Sequence, residues 1–390
     1  MTVKLYDTDS YLWEFDCKVT SLYNDKDYIY IETDRTAFFP EGGGQTCDKG
    51  SFNGINVENI QIIDGKIVHF VKNSEENAEI FKIDTVLHGK INVKKRFSDM
   101  QQHSGEHIFS GIVNSLYGYN NVGFHLGSEV VTLDFDGELN EDDICKVENL
   151  VNEVIWKNLE IKVTLPSPEE LANIKYRSKI EIEGQVRIVE IPGVDICACC
   201  APHVRFTGEI GIVRVVNFER YKGGTRVSIL CGERALLDLR HKLKQNRLVS
   251  NLTSSKQDET AAAVERLKNE NEKLKYDLIG MARDFLTLKS ESISKGEKII
   301  IFDDKLQGKL LQDFALSLMD KADKFTACFC SENGLYRYCI VSDKVNLQDL
   351  AKALNVAFSG RGGGKPQIVQ GSLTAESETE IRKFLENFEI

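Results

Sequence analysis

Asp99-Met100-Gln101-Gln102-His103-Ser104-Gly105-Glu106-His107-Ile108-Phe109-Ser110-Gly111-Ile112-Val113-Asn114-Ser115-Leu116 is the stretch on which the reading of this chain turns. Met100, Ile108, Ile112 and Leu116 fall at helical spacing, so the segment is expected to form a helix with one apolar face. His103 and His107 stand four apart on that helix, one above the other, and can share a metal ion. About ninety residues on comes Cys199-Cys200-Ala201-Pro202-His203, a thiol and an imidazole four apart. Together these pairs supply imidazole and thiolate donors, which suit Zn²⁺ in tetrahedral coordination and suit Mg²⁺ or Ca²⁺ poorly. The expected ligands are His103, His107, Cys199 and His203, with Cys197 and Cys200 as rival or spare thiols. A competing motif overlaps the first pair. His103-Ser104-Gly105-Glu106-His107 also fits the inverted zincin pattern, in which the glutamate is the general base of a metalloprotease. That scheme needs a third ligand, for which Glu181 and Glu183 are available, and it leaves Cys199 and His203 without a role.

Outward from this centre the chain changes character several times. Residues 1–88 read as short strands separated by turns, including Asp64-Gly65, and point to a small β-barrel or sandwich. Residues 89–231 mix helices, such as Glu141 to Trp156, with strands, such as Val186 to Ile191 and Ile210 to Val216. They form the α+β part that holds the metal ligands. In residues 232–292 strands stop, and Ser250 to Ser255 divides two helical segments. Val264, Leu267, Asn271, Leu274, Leu278, Met281, Phe285 and Leu288 alternate three and four apart in the second, a heptad seam with one polar member. The expectation is a helical hairpin or coiled coil, with a homodimer through residues 264–288 as the alternative to intrachain pairing. Residues 293–390 return to strands and helices and read as a small α/β domain. The expected fold class is therefore α+β multidomain: an N-terminal β-barrel, a zinc-containing domain, a helical hairpin or coiled-coil segment, and a C-terminal α/β domain.

With 390 residues, 42% hydrophobic, 28% charged and only six prolines, the chain is an ordinary globular protein, not a disordered or collagen-like one. No apolar run approaches membrane-spanning length and no export signal is evident, so a cytoplasmic location is expected. The ten cysteines then read as thiols and metal ligands before disulfides. The net charge of −11 argues against a general nucleic-acid coat. Arg205 to Arg247 runs against that trend, with ten basic residues to four acidic ones. Within it Arg214, Lys222, Arg226 and Arg240 are candidates for phosphate contacts.

The metal constellation, followed by Val204-Arg205-Phe206-Thr207-Gly208-Glu209-Ile210-Gly211, resembles the editing domain of alanyl-tRNA synthetase and its freestanding AlaX relatives. Thr36-Ala37-Phe38-Phe39-Pro40-Glu41-Gly42-Gly43-Gly44-Gln45, then Asp48 and Gly50, looks like the glycine-rich segment of that family's N-terminal barrel. Gly360-Arg361-Gly362-Gly363-Gly364-Lys365-Pro366, before Gln370-Gly371-Ser372, is similar to the glycine motif of the synthetase's C-terminal domain, C-Ala. The three occur in family order. The synthetase's ATP-binding half is not seen upstream of the glycine-rich segment, so the resemblance implies a freestanding editor of the long type. One departure stands out: the family's usual Cys-Gly-Gly-Thr-His is Cys199-Cys200-Ala201-Pro202-His203 here.

The resemblance implies a hydrolase that deacylates tRNA(Ala) mischarged with serine, or with glycine. The chemistry is reasonable. A pocket sized for alanine rejects an added hydroxyl by only about 10²-fold, whereas a site that hydrogen-bonds that hydroxyl can refuse alanine by roughly 10⁴–10⁵. It further implies that the terminal adenosine and amino acid lie between the glycine-rich loop and the zinc. Gly42, Gly43 and Gly44 would allow close backbone approach, and Thr36 and Gln45 would read the serine hydroxyl and the ester. Zn²⁺ would anchor the substrate or activate a water, and Glu106 would be a general base, a partner of a ligand histidine, or a solvated helix residue. Arg361 and Lys365 are candidate tRNA contacts of the terminal domain. Two other readings stand beside this one: a tRNA-binding protein with structural zinc and no catalysis, and the zinc metalloprotease.

Overall fold

The computed structural model describes residues 2–178, 184–332 and 334–390. They fall into two compact units, Met1–Arg247 and Leu248–Ile390. Glu181 and Glu183, the carboxylates a zincin would need, lie outside the described residues.

In the first unit, strands Glu14–Asn24, Tyr28–Thr33, Lys66–Lys72, Ile55–Ile63, Gly50–Phe52 and Val86–Ile91 pair in that order and close on themselves. Period-two patterning explains the inner face: in Tyr28–Thr33, Ile29, Ile31 and Thr33 are buried and their neighbours are not. The tight connections are set by Asn53-Gly54 and Asp64-Gly65, whose residues all take positive φ, as primed hairpin turns require. The helix Val93–Tyr117 follows directly. Asn92 caps it by accepting the Lys95 amide, and Gly118 at φ 73° ends it. It runs longer at its start than the expected 99–116. From Met100 to Val113 every residue is buried, because the helix is enclosed by other parts of the unit. These include the helix Glu141–Trp156, opened by a capping box between Asn140 and Asp143, and two sheets. One sheet has the order Val213–Tyr221, Gly224–Cys231, Val131–Phe135, Asn121–Leu126. The other has Lys162–Thr164, Ile188–Ile191, Asp195–Ala198 and carries the cysteine segment.

The second unit builds a five-stranded sheet in the order Gly296–Phe302, Ala322–Glu332, Leu335–Val341, Ile368–Thr374, Arg361–Lys365. The first two strands are parallel, linked through helix Lys309–Ser317, and the others are antiparallel. Helices Gln348–Ala357 and Glu378–Asn387 complete it.

The expected architecture needs correcting. It set a helical hairpin or coiled coil apart as an element of its own. Instead, Thr260–Glu291 is a single 32-residue helix that leads into the second unit's sheet, and its seam has no partner helix among the described residues. Leu274, Leu278, Met281 and Leu288 are each about two-thirds exposed, which a paired seam forbids. The local heptad pattern was real, but pairing is a tertiary property the pattern alone does not fix. Nor is the N-terminal barrel a body by itself: its strands belong to one unit with the histidine helix, and the glycine-rich turn lies in the loop that precedes strand Gly50–Phe52. The fold is α+β, with several sheets and helices. No helix among the described residues is long and apolar enough to cross a membrane.

Candidate metal centre

The buried helix face brings His103 and His107 together with Cys199 and His203, and one ligand atom from each lies within 4.8 Å of all the others. The Cys199 Sγ is 3.5 Å from His103 Nε2 and 3.4 Å from His203 Nε2. A tetrahedral zinc with ordinary Zn–N and Zn–S bonds has an N···S edge of roughly 3.5 Å, so the spacing fits. The orientation of the rings fits as well. His103 Nδ1 donates to Gln45 Oε1 at 2.8 Å, His107 Nδ1 donates to Asp195 Oδ2 at 3.1 Å, and His203 Nδ1 shares a hydrogen bond with Ser104 Oγ at 3.0 Å. Each ring therefore has its Nδ1 engaged by a neighbour and turns Nε2 toward the shared centre. Histidine ligands of metals are held by outer partners in this way. In turn, Asp195 is gripped by Arg177 through Nε at 2.7 Å and Nη2 at 2.9 Å.

Electrostatics favour a thiolate at the centre. Burial alone would raise the Cys199 thiol, but the imidazoles of His103 and His203 outweigh it and hold the group well below its ordinary range. Burial drives His203 the other way, down to about 3, leaving a neutral ring able to bind metal. For His107 burial again opposes charge, but the bond to Asp195 wins and makes the ring a strong base.

The rival thiols sit apart from this set. Cys197 is buried on strand Asp195–Ala198 and groups with His107 and Asp195 instead. Cys200 is exposed, its Sγ 3.8 Å from where a Cβ on Gly43 would be. Glu106 is not a solvated helix residue. It is buried, its Oε1 accepts from Ser110 Oγ at 2.7 Å and Asn121 Nδ2 at 2.6 Å, and its Oε2 lies 3.8 Å from His107 Nε2.

The glycine-rich turn reaches this centre through Gln45. Gly42 and Gln45 exchange backbone hydrogen bonds at 3.1 and 3.0 Å, and Gly44 O accepts from Leu126 N at 2.8 Å. Gly44 has φ 79°, and a Cβ there would stand 2.5 Å from Phe124 O, so no other residue fits. With Oε1 committed to His103, the buried Gln45 Nε2 has no partner among the described residues. Thr36 is buried too, but its hydroxyl bonds His69 Nε2 at 2.9 Å and accepts from Phe38 N at 3.1 Å. The loop is fastened to the histidine helix by a buried ion pair. Arg96 Nε donates to Asp48 Oδ1 at 2.8 Å, Nη2 to Asp48 Oδ2, and Nη2 also to Ala37 O at 2.7 Å.

The candidate phosphate-contacting residues of the first unit are engaged with partners outside the four-residue cluster or exposed. Arg214 pairs with Glu148 at 3.2 Å, Arg226 with Asp134 at 2.6 Å, and Lys222 and Arg226 lie over the Tyr221 ring. Arg240 is exposed on helix Gly232–Thr253, and Arg361 and Lys365 are the exposed ends of a sheet-edge strand. Sequence reasoning missed Ser104, Asp195 and Arg177. Asp195 carries a signal in hindsight, since it opens the strand Asp195–Ala198 that runs directly into Cys199.

A family model for the threonyl and alanyl tRNA synthetase second additional domain matches residues 186–228, which include Cys199 and His203. A second, for the DHHA1 domain, matches residues 296–389, which hold all five strands of the second unit's sheet. The alanyl-tRNA editing protein AlaX-L of Pyrococcus horikoshii is 28% identical over 394 residues, covering 97% of this chain and 96% of that protein. The alanyl-tRNA editing protein Aarsd1 of Danio rerio is 26% identical over 360 residues, 88% of this chain and 85% of its own length. The alanine–tRNA ligase of Pyrococcus abyssi is 29% identical over 405 residues, but the match takes up 97% of this chain and only 43% of the ligase. A likeness that runs end to end through AlaX-L, yet occupies less than half of the ligase, places this chain in the AlaX-L-like family of alanyl-tRNA editing proteins, homologous to the editing and C-Ala domains of alanyl-tRNA synthetase.

Proposed function

We propose that this protein is a tRNA-editing hydrolase that deacylates mischarged tRNA(Ala) in trans, with seryl-tRNA(Ala) the chief substrate and glycyl-tRNA(Ala) the second. The observation that carries the reading is the set of three imidazoles and one thiol, each imidazole locked by its Nδ1 and facing one centre. His103, His107, Cys199 and His203 would hold Zn²⁺, which when bound supplies a Lewis acid able to anchor a substrate group or acidify a water. The rest is the work of the chain. Gln45 spends its oxygen on His103 and keeps amide hydrogens for an acceptor on the aminoacyl ester. The turn at Gly42, Gly43 and Gly44 leaves room for the substrate backbone to approach. Thr36 is assigned to the serine side chain, for which the second lone pair of its hydroxyl remains. Glu106 acts as a positioning residue beside His107, tied down by Ser110 and Asn121.

Arg214, Lys222, Arg226 and Arg240, with Arg361 and Lys365 in the second unit, are proposed to contact the tRNA phosphates, so binding weakens as salt rises. The exposed apolar stripe of helix Thr260–Glu291 is where a second copy would pack to give a homodimer. A tRNA substrate sets the location as the cytoplasm. The test is deacylation of seryl-tRNA(Ala) beside alanyl-tRNA(Ala). Loss of serine with alanine retained is expected. Intact seryl-tRNA in the presence of folded, zinc-replete protein would leave tRNA binding without catalysis as the better description.

A further inference from the structure

The histidine face of helix Val93–Tyr117 continues past the metal centre. His103, His107, Gly111 and Ser115 recur every four residues, and at a rise of about 1.5 Å per residue Gly111 and Ser115 lie roughly 6 and 12 Å beyond His107. There the helix, the strand Asp195–Ala198 and the segment around Arg177 border an open cavity of about 320 Å³. That is the lower part of the range for small-ligand sites, roughly 300–1,000 Å³. Asn114, Ser115, Lys175, Tyr176, Arg177 and Asp195 line it. An aromatic ring, an amide, a hydroxyl and two cations in one recess are the groups with which proteins hold unpaired nucleotides, by stacking on the base and pairing with the phosphate.

We propose that this cavity seats a nucleotide of the single-stranded 3′ end of the tRNA, with Tyr176 against the base and Lys175 toward the phosphate. The inference rests on the editing reading above. If the aminoacyl ester sits at the zinc ligands, the strand that carries it must leave within one or two nucleotides, and the cavity lies at that distance along the same helix face. The placement also has a consequence. Arg177, in the cavity wall, grips Asp195, and Asp195 holds His107. A strand seated there presses on the outer partners of a metal ligand, so seating of the tRNA end and orientation of His107 are linked.

The test compares Tyr176→Ala and Lys175→Glu with wild type on two substrates, seryl-tRNA(Ala) and the minimal ester 2′(3′)-O-seryl-adenosine, with zinc content measured throughout. A lost base stack is worth about 1–3 kcal/mol, so KM for the tRNA is expected to rise roughly 5- to 150-fold in Tyr176→Ala. Turnover of seryl-adenosine and bound zinc stay at wild-type values. An unchanged KM for tRNA, or an equal loss on both substrates, would overturn the subsite. If wild type cleaves neither substrate, it is the editing reading that has failed. The subsite is then judged by binding alone: a CCA oligonucleotide must bind wild type more tightly than Tyr176→Ala, and equal affinity sinks it. Binding of free AMP as tight as that of CCA would also overturn the strand assignment, in favour of a small-nucleotide site.

Discussion

Asp195→Asn is the change that probes the metal centre with the least disturbance of shape. In the native protein the carboxylate accepts three hydrogen bonds, one from His107 Nδ1 and two from Arg177. An asparagine side chain of the same outline has one acceptor oxygen and one amide group. If the oxygen stays with Arg177, the amide donors face His107 Nδ1–H, and the ring escapes the clash by moving its proton to Nε2, the atom that must be bare to bind zinc. If the oxygen takes the Oδ2 position instead, it keeps His107 Nδ1 and Arg177 Nη2, and the amide turns its hydrogens on Arg177 Nε–H in a largely buried site. The first arrangement damages the partner that fixes the tautomer and the second loosens the arginine that holds that partner, and such outer partners are worth about 10- to 100-fold in metal affinity, or roughly 1.4–2.7 kcal/mol. Competition with a chromophoric zinc chelator reads this directly. Arg177→Gln is the control, since it leaves Asp195 on His107 and should weaken zinc by less. Zinc held by Asp195→Asn as tightly as by wild type would refute the claim that the Nδ1 bonds organise the site.

Four further outcomes are expected. His69 is fully buried and pushed down to about 4 from the ordinary 6.5, by burial. The unfolded chain therefore binds the extra proton first, so stability is complete above pH 6.5 and declines as pH falls toward 4, by up to about 3 kcal/mol. Urea midpoints of wild type and His69→Gln at pH 7 and pH 4.5 check this, and parallel losses in the two would count against it. Arg96→Met strands Asp48 in the core and should cost about 3–5 kcal/mol by denaturant titration, with much of it recovered in the Arg96→Met, Asp48→Leu double variant. Gly44→Ala meets both the positive φ and the Phe124 carbonyl and should cost at least about 1–2 kcal/mol. Gly42→Ala meets nothing within 4 Å and should leave stability within about 0.5 kcal/mol. Lost deacylation in Gly42→Ala would then report on substrate approach, and retained deacylation would remove Gly42 from the site.

The cluster of His103, His107, Cys199 and His203 was legible because these candidate ligands form short-range patterns. Two histidines four apart on a helix, and a cysteine and histidine four apart in a turn, announce themselves without knowledge of the fold. Strand alternation and the Asp64-Gly65 turn were readable for the same reason. What the sequence did not yield depends on contacts across distance. Asp195 and Ser104 hydrogen-bond two of the candidate ligands, yet one looks like a strand residue and the other like helix filler until the packing brings them to the rings. Arg96 reads as a charged helix residue, although it is wholly buried on Asp48, which the glycine-rich segment places 48 positions earlier. The seam of Thr260–Glu291 failed in the other direction, since its local period was clear but no helix among the described residues covers it. Glu106, left open between three roles, turned out to be buried because the whole helix is enclosed.

The central claim is that the four-ligand centre performs the deacylation. The most direct measurement takes bound zinc and the rate of seryl-tRNA(Ala) hydrolysis from the same preparations of wild type, Cys199→Ser and the His103→Ala, His107→Ala double variant. One zinc per chain with rapid loss of serine in wild type is predicted, and the two quantities should fall together in the variants. Serine release that persists in folded protein stripped of zinc would contradict the account, as would zinc-replete wild type that leaves the ester intact.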